Sequence, residues 1–188
     1  MLKQIAFFKE AVKNIKTSGS VMPSSRFLIK KMLRNIDFSK DLILVEFGPA
    51  NGIITSEILK RMSANSKLLC FEINPVFYQF LTENIKDERV IILQESAENI
   101  ALELEKTGIK EIDFCISSLP LAMMPKEVCE KIIKNTIKVL KPNSGFVQYQ
   151  YSLQYYKPLK NIFNKKNIRL NFVFLNFPPA FIYNCEKK

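Results

Sequence analysis

Residues Leu42–Gly52, LILVEFGPANG, restrict this chain more than any other stretch. An apolar run of strand length breaks at Gly48, turns, and at Gly52 passes into a helical pattern. Twenty residues beyond Gly52, a second apolar run, Lys67–Ile73, closes around Glu72. The order strand, glycine turn, helix, strand, acid is how an open α/β sheet holds an adenosine-containing ligand beyond the carboxyl ends of its strands.

The spacing narrows the choice of ligand. A dinucleotide fingerprint started at Gly48 requires glycine at positions 50 and 53, where the chain has Ala50 and Ile53. A phosphate-gripping loop fails at Ile53 as well. What stands is acid-x-Gly-x-x-x-Gly, made by Glu46, Gly48 and Gly52. Gly48 has no Cβ, so its backbone can approach a ligand closely. Glu46 can face a cationic group, and Glu72 can accept from two neighbouring ribose hydroxyls.

The rest of the chain continues the alternation. Apolar runs predict strands at Leu42–Phe47, Lys67–Ile73, Arg89–Gln94, Glu111–Ser117 and Phe146–Ser152. Helical patterns fill the intervals, one beginning at Pro75 and one spanning Pro125 to about Leu140 and closed by Lys141–Gly145. Two further runs, Ile168–Asn176 and Ala180–Cys185, flank Phe177-Pro178-Pro179 and predict a closing antiparallel pair. The expected fold class is α/β: Rossmann-like, doubly wound, with a mainly parallel seven-stranded sheet and a C-terminal antiparallel strand pair. One globular domain is expected overall. Residues 1–40 supply a basic amphipathic helix and a second helix; residues 41–188 form the ligand-binding domain.

Composition excludes several chemistries. The chain has no histidine, which removes His-based triads, His metal ligands and the usual general base. Cys70, Cys115, Cys129 and Cys185 form no C-x-x-C pair, so no metal site is expected. The net charge of +10 sits at the two ends, while residues 41–150 are mildly acidic. Such ends suit an anionic partner, either lipid headgroups or nucleic acid. Residues 1–16 place Met1, Ile5, Phe8, Val12 and Ile15 on one helical face, with Lys9, Lys13 and Lys16 around it. That face can lie in a membrane interface or dock on its own domain. No run is long enough to span a bilayer and no signal-peptide plan is evident, so a cytoplasmic protein is expected.

The loop of Glu46, Gly48 and Gly52 resembles motif I of the class I S-adenosylmethionine-dependent methyltransferases. Further blocks resemble the bacterial phospholipid N-methyltransferases: GSVMPSSR at Gly19–Arg26, EFGPANG at Glu46–Gly52, SSLPL at Ser117–Leu121, QYQY at Gln148–Tyr151 and NFPPA at Asn176–Ala180. Departures fall at Ala50, Ser96 and Ser118, where the family has glycine, an acid and glycine.

The resemblance implies S-adenosyl-L-methionine as cofactor, held by Glu46, Gly48, Pro49, Ala50, Gly52, Glu72, Ile73, Glu95, Ser96, Ala97 and Ser117. It implies methyl transfer to the phosphatidylethanolamine headgroup, with Ser117, Ser118, Tyr149 and Tyr151 at the reacting centre. Tyr149, Tyr151 and Phe177 are candidates for cation–π contact with a methylated ammonium. Phe8, Lys9, Lys13, Ser24, Ser25, Arg26, Asn176, Pro178 and Pro179 are expected to meet the lipid or the anionic membrane surface. The protein would then associate peripherally with the inner face of the cell membrane. An rRNA adenine N6-methyltransferase is one alternative; against it, Leu121 occupies the place of the ring that stacks on a flipped base. A catalytically degenerate membrane-binding scaffold is the other.

Overall fold

A computed structural model describes residues 24–188. The residues Phe8, Lys9 and Lys13, and the amphipathic pattern they belong to, lie outside the described residues. Within them the elements run α1 (Arg26–Met32), β1 (Ile43–Phe47), α2 (Ile53–Leu59), β2 (Lys67–Phe71), α3 (Pro75–Asn84), β3 (Val90–Leu93), α4 (Ile100–Lys106), β4 (Ile112–Ser117), α5 (Lys126–Val139), β5 (Leu140–Gln150), α6 (Tyr156–Phe163), β6 (Ile168–Val173) and β7 (Ala180–Glu186).

The strands form one seven-stranded sheet in the order β3-β2-β1-β4-β5-β7-β6. β1 to β5 are parallel, and β7 runs antiparallel between β5 and β6. Strand order reverses between β1 and β4, which opens the crevice where ligands bind in such sheets. The fold is therefore the Rossmann-like, doubly wound sheet with a C-terminal antiparallel pair.

Both faces of the sheet are covered, because strands buried on both sides carry near-continuous apolar runs. On one face Ile100 and Leu104 of α4, Ile132 and Ile133 of α5 and Leu159 of α6 pack on Val45, Phe47, Phe71, Cys115 and Phe146. On the other, Leu28, Ile29 and Met32 of α1 and Ile54 and Ile58 of α2 pack on Leu44, Leu68, Ile116, Val147 and Ile182. So α1 belongs to the same core as the sheet. The four cysteines are buried and unpaired, as small apolar residues.

Local chemistry sets several boundaries. Ser25 caps α1, its hydroxyl accepting from Leu28 N at 3.2 Å. Asn74 caps α3, with Pro75 at the first turn where a missing N–H costs nothing. One expected loop is corrected. Lys141–Gly145 does not simply close α5: β5 starts at Leu140 and runs through this stretch. Its pairing with β4 shifts register between Ile112 and Phe114, and Asn143 takes a φ of 60°. Asn143 N donates to Lys187 O and Lys187 N to Ser144 O, at 2.7 and 2.9 Å. The Pro-Asn-Ser stretch is a bulge tied to the end of β7 rather than a free turn.

Candidate active site at the carboxyl ends of the strands

The loop after β1 is built from left-handed residues. Gly48, Ala50 and Gly52 have φ of 68°, 49° and 72°. Gly48 N donates to Phe71 O at 3.0 Å and Gly52 N to Pro49 O at 2.9 Å, which folds the loop tightly between β1 and α2. A Cβ on Gly52 would sit 2.9 Å from Leu81 Cδ2, so this glycine also sets how closely α3 approaches. Ala50 carries its Cβ into a conformation that disfavours one.

Two acids serve this loop differently. Glu72, at the end of β2, is buried; its Oε2 accepts from Ala50 N at 3.0 Å and its Oε1 from Asn74 N at 2.8 Å. Burial pushes its carboxyl up, and those two backbone N–H groups pull it back. Each oxygen keeps a lone pair for a further donor. Glu46 is fully buried on the opposite face from Phe47, where Cys70 Sγ donates to its Oε2 at 3.7 Å. Burial pushes its carboxyl up to about 7. The Thr55 hydroxyl beside Glu46 pulls that carboxyl partly back down, and the Ser118 hydroxyl is buried without a hydrogen-bond partner.

A cleft of about 260 Å³ opens beside Gly48. Six of the expected cofactor residues line it: Gly48, Glu72, Ile73, Glu95, Ser96 and Ala97. Ser96 N and Asn99 Nδ2 donate to Glu95 Oε2 at 3.2 and 2.9 Å, which fixes that carboxylate at the rim. Pro49, Ala50, Gly52, Glu46 and Ser117, expected at the cofactor, do not line it, and Glu46 and Ser117 are fully buried. The opposite wall is apolar: Phe71, Leu119, Met124, Val128 and Ile132. Sequence reasoning missed the α5 part of that wall. Val128 and Ile132 stand one helical turn apart, a spacing that signals a buried face without saying whether it meets core or ligand.

The turn after β4 is held from β5. Leu119 O accepts from Gln148 Nε2 at 3.0 Å, Gln150 Nε2 at 2.8 Å and Leu121 N at 2.9 Å. The Ser117 hydroxyl accepts from Leu119 N at 3.4 Å, and Ser118 N donates to Phe47 O at 2.9 Å. Tyr149 and Tyr151 meet edge to face, ring centres 5.8 Å apart. Partial desolvation, with Tyr149 beside it, pushes the Tyr151 phenol up.

The remaining expected contacts are spread along the edge of the sheet. Ser25 N donates to Asn176 Oδ1 at 3.0 Å, and Asn176 Nδ2 donates to Pro178 O at 2.7 Å. Asn176 is thus a buried tie between α1 and the β6–β7 turn. The Arg26 guanidinium lies 5.1 Å from the ring centre of Phe27. Ser24 precedes the α1 cap, and Pro179 precedes β7.

The residues present fit S-adenosylmethionine. At Gly48 a Cβ would stand 3.3 Å from Leu119 Cδ2, a tight contact at a φ of 68° that favours glycine. The spare lone pairs of Glu72 suit paired hydroxyls, and the apolar wall suits a flat ring.

The model of the ribosomal RNA adenine dimethylase family matches residues 13–168. The chain is 28% identical over 172 residues to the ornithine lipid N-methyltransferase of Singulisphaera acidiphila, covering 89% of this chain and 88% of that one. Among solved structures, it is similar to a precorrin-6y C5,15-methyltransferase from Geobacter metallireducens, with a TM-score of 0.67, 16% identity and coverage of 86% and 88% of the two chains. It is also similar to an rRNA methylase from Streptococcus thermophilus, with a TM-score of 0.62, 13% identity and coverage of 85% and 94%. At such identities the likeness to solved structures speaks for the fold.

Proposed function

Because this chain belongs to the ribosomal RNA adenine dimethylase family and is an S-adenosylmethionine-dependent methyltransferase, we propose that its acceptor is the primary amine of a lipid headgroup, phosphatidylethanolamine, met at the membrane surface. The observation that carries this reading is the turn after β4. Leu121 stands where a base-modifying enzyme needs an aromatic ring, and its side chain is buried in the core. No ring is presented for a flipped base at that position. The ornithine lipid of the Singulisphaera relative offers the same chemistry, an amine on a lipid headgroup.

When bound, S-adenosylmethionine supplies an activated methyl group. Glu72 and the Gly48 loop hold and orient it, with Glu95, Ser96 and Ala97 at the adenine side. Phe71, Leu119, Met124, Val128 and Ile132 exclude water. Leu119 O is already occupied by three donors, so the Ser118 hydroxyl and Gln148 Oε1 are the polar atoms of this turn with capacity left for an incoming amine. The backbone around Ser117 fixes the angle of that turn. Tyr151 serves as a ring surface and not as a proton acceptor. Tyr149 and Tyr151 favour the ammonium as methyl groups accumulate, by about 0.5–2 kcal/mol.

Radiolabelled methyl transfer tests the acceptor. The purified chain is expected to label vesicle phosphatidylethanolamine, giving monomethyl or higher species on thin-layer chromatography. Label in rRNA, with none in lipid, overturns the reading. That second reading is favoured by the family model itself, named for rRNA adenine dimethylation.

A further inference from the structure

The β6–β7 turn exposes three large apolar side chains in four residues: Phe174 is 76% exposed, Leu175 61% and Phe177 73%. A loop that pays this hydration cost without covering itself marks an interaction surface. Register places the turn. Gln150, the last residue of β5, pairs with Phe181, and Val173 pairs with Ala180. The turn therefore projects from the carboxyl edge of the parallel sheet, the edge that also carries the cleft. β7 stands two strand positions from β4, roughly 10 Å. Tyr151 and Leu153, beyond β5, and Phe27 at the start of α1 extend the exposed apolar rim along the same edge.

The charge around this rim has one sign. No Asp or Glu occurs between Glu130 and Glu186, and none between Ser24 and Ile36. Arg26, Lys30, Lys31 and Arg34 lie on or just beyond α1, which is docked against the hairpin: Lys31 Nζ donates to Phe172 O and Arg34 Nη2 to Asn171 Oδ1, both at 3.3 Å. The Asn176 amide ties the first turn of α1 to the hairpin tip. Apolar side chains at the tip with cations set behind them match the layering of an anionic bilayer, hydrocarbon inside and phosphates outside.

We propose that the β6–β7 turn and the first turns of α1 form a membrane-inserting edge, which seats the methyl-transfer cleft on an anionic lipid surface. The choice of lipid as occupant rests on the acceptor proposed above. This edge is distinct from the basic amphipathic pattern of residues 1–16. Phe174 and Leu175 enter the acyl boundary, while Arg26, Lys30 and Lys31 meet phosphates. Headgroups are thereby delivered at the level of the Ser118 turn.

The chain has no tryptophan, so Phe174→Trp creates a single reporter in the full-length protein. Its emission is expected to shift to the blue on vesicles of equal parts phosphatidylethanolamine and phosphatidylglycerol, and to be quenched by lipids brominated on their acyl chains. Emission unchanged by those vesicles overturns the proposal. So does emission already blue-shifted in buffer, which would mean that residues 1–16 or a second copy cover the turn. Phe174→Ser with Leu175→Ser is expected to cut vesicle sedimentation about tenfold, with S-adenosylmethionine binding by calorimetry unchanged; undiminished sedimentation overturns the proposal. Lipid methylation in the same samples separates the two readings. A blue-shifted, quenched reporter without methylated lipid removes the acceptor and keeps the edge; methylated lipid with an unshifted reporter removes the edge and keeps the acceptor.

Discussion

The Glu72 carboxylate accepts the backbone N–H of Ala50 at 3.0 Å, so the acid that ends β2 holds the loop that follows β1. The same carboxylate accepts from Asn74 N and so positions the cap of α3. Ligand contact and loop geometry thus converge on one side chain.

Replacing that acid separates its acceptors from its shape. In Glu72→Gln one oxygen becomes an amide donor, and either Ala50 N–H or Asn74 N–H loses its partner. A loss of about 1–3 kcal/mol in unfolding free energy is expected, with at least a roughly tenfold loss of S-adenosylmethionine affinity by calorimetry. Affinity equal to wild type would remove Glu72 from the binding site.

The left-handed loop predicts different costs for two substitutions at one position. Ala50→Gly removes a strained Cβ but loosens the unfolded chain, so its stability stays within about 1 kcal/mol of wild type. Ala50→Val places a β-branched residue at a φ of 49° and is expected to cost on the order of 1–2 kcal/mol. Denaturant unfolding of both variants checks this; equal stability of the valine variant would mean that the loop relaxes out of this conformation.

Glu46 gives the protein a pH signature. Its carboxyl ordinarily titrates near 4.5 and, buried, near 7. Between those values the native state holds a proton that the unfolded chain has released, so stability falls as pH rises through this window and levels above it. Glu46→Gln lacks this titration. The melting temperature of the variant, relative to wild type, is expected to climb from about pH 5 to about pH 7. A constant difference across that range would show that Glu46 ionises normally.

Gln148 and Gln150 both donate to Leu119 O, so each can stand in for the other at that carbonyl, although Gln148 Nε2 also donates to Tyr149 O at 2.6 Å. Gln148→Leu or Gln150→Leu alone leaves one amide on that carbonyl, and each is expected to lower kcat only about twofold. The double variant frees the turn beside Ser118; a loss well beyond the product of the two single effects is expected, with a coupling of about 1 kcal/mol. Strictly multiplicative losses would show that the two amides act independently.

Much of this was legible in the chain. The strand at Leu42–Phe47, the Pro75 start of α3 and the closing antiparallel pair follow from apolar period and turn chemistry, because those signals are local. The Glu72 pairing with the loop was not, since it depends on where two strand ends meet. The β5 bulge escaped because a Pro-Asn-Ser-Gly run reads as a turn until a partner strand supplies hydrogen bonds. Val128 and Ile132 carried no signal of their own, because an apolar helical face looks the same whether it meets side chains or a ligand. Phe174 and Leu175 read as more strand; only the end of pairing at Val173 reveals them as an unpaired tip.

The reversed direction of β7 has an architectural consequence. Were that strand parallel to its neighbours, the segment joining it to β6 would emerge at the far rim, remote from any chemistry. Running backwards, it brings six residues of connecting chain to the reactive rim without lengthening the domain. Changes confined to that short span therefore leave untouched the half of the sheet that carries Glu72 and the Gly48 loop.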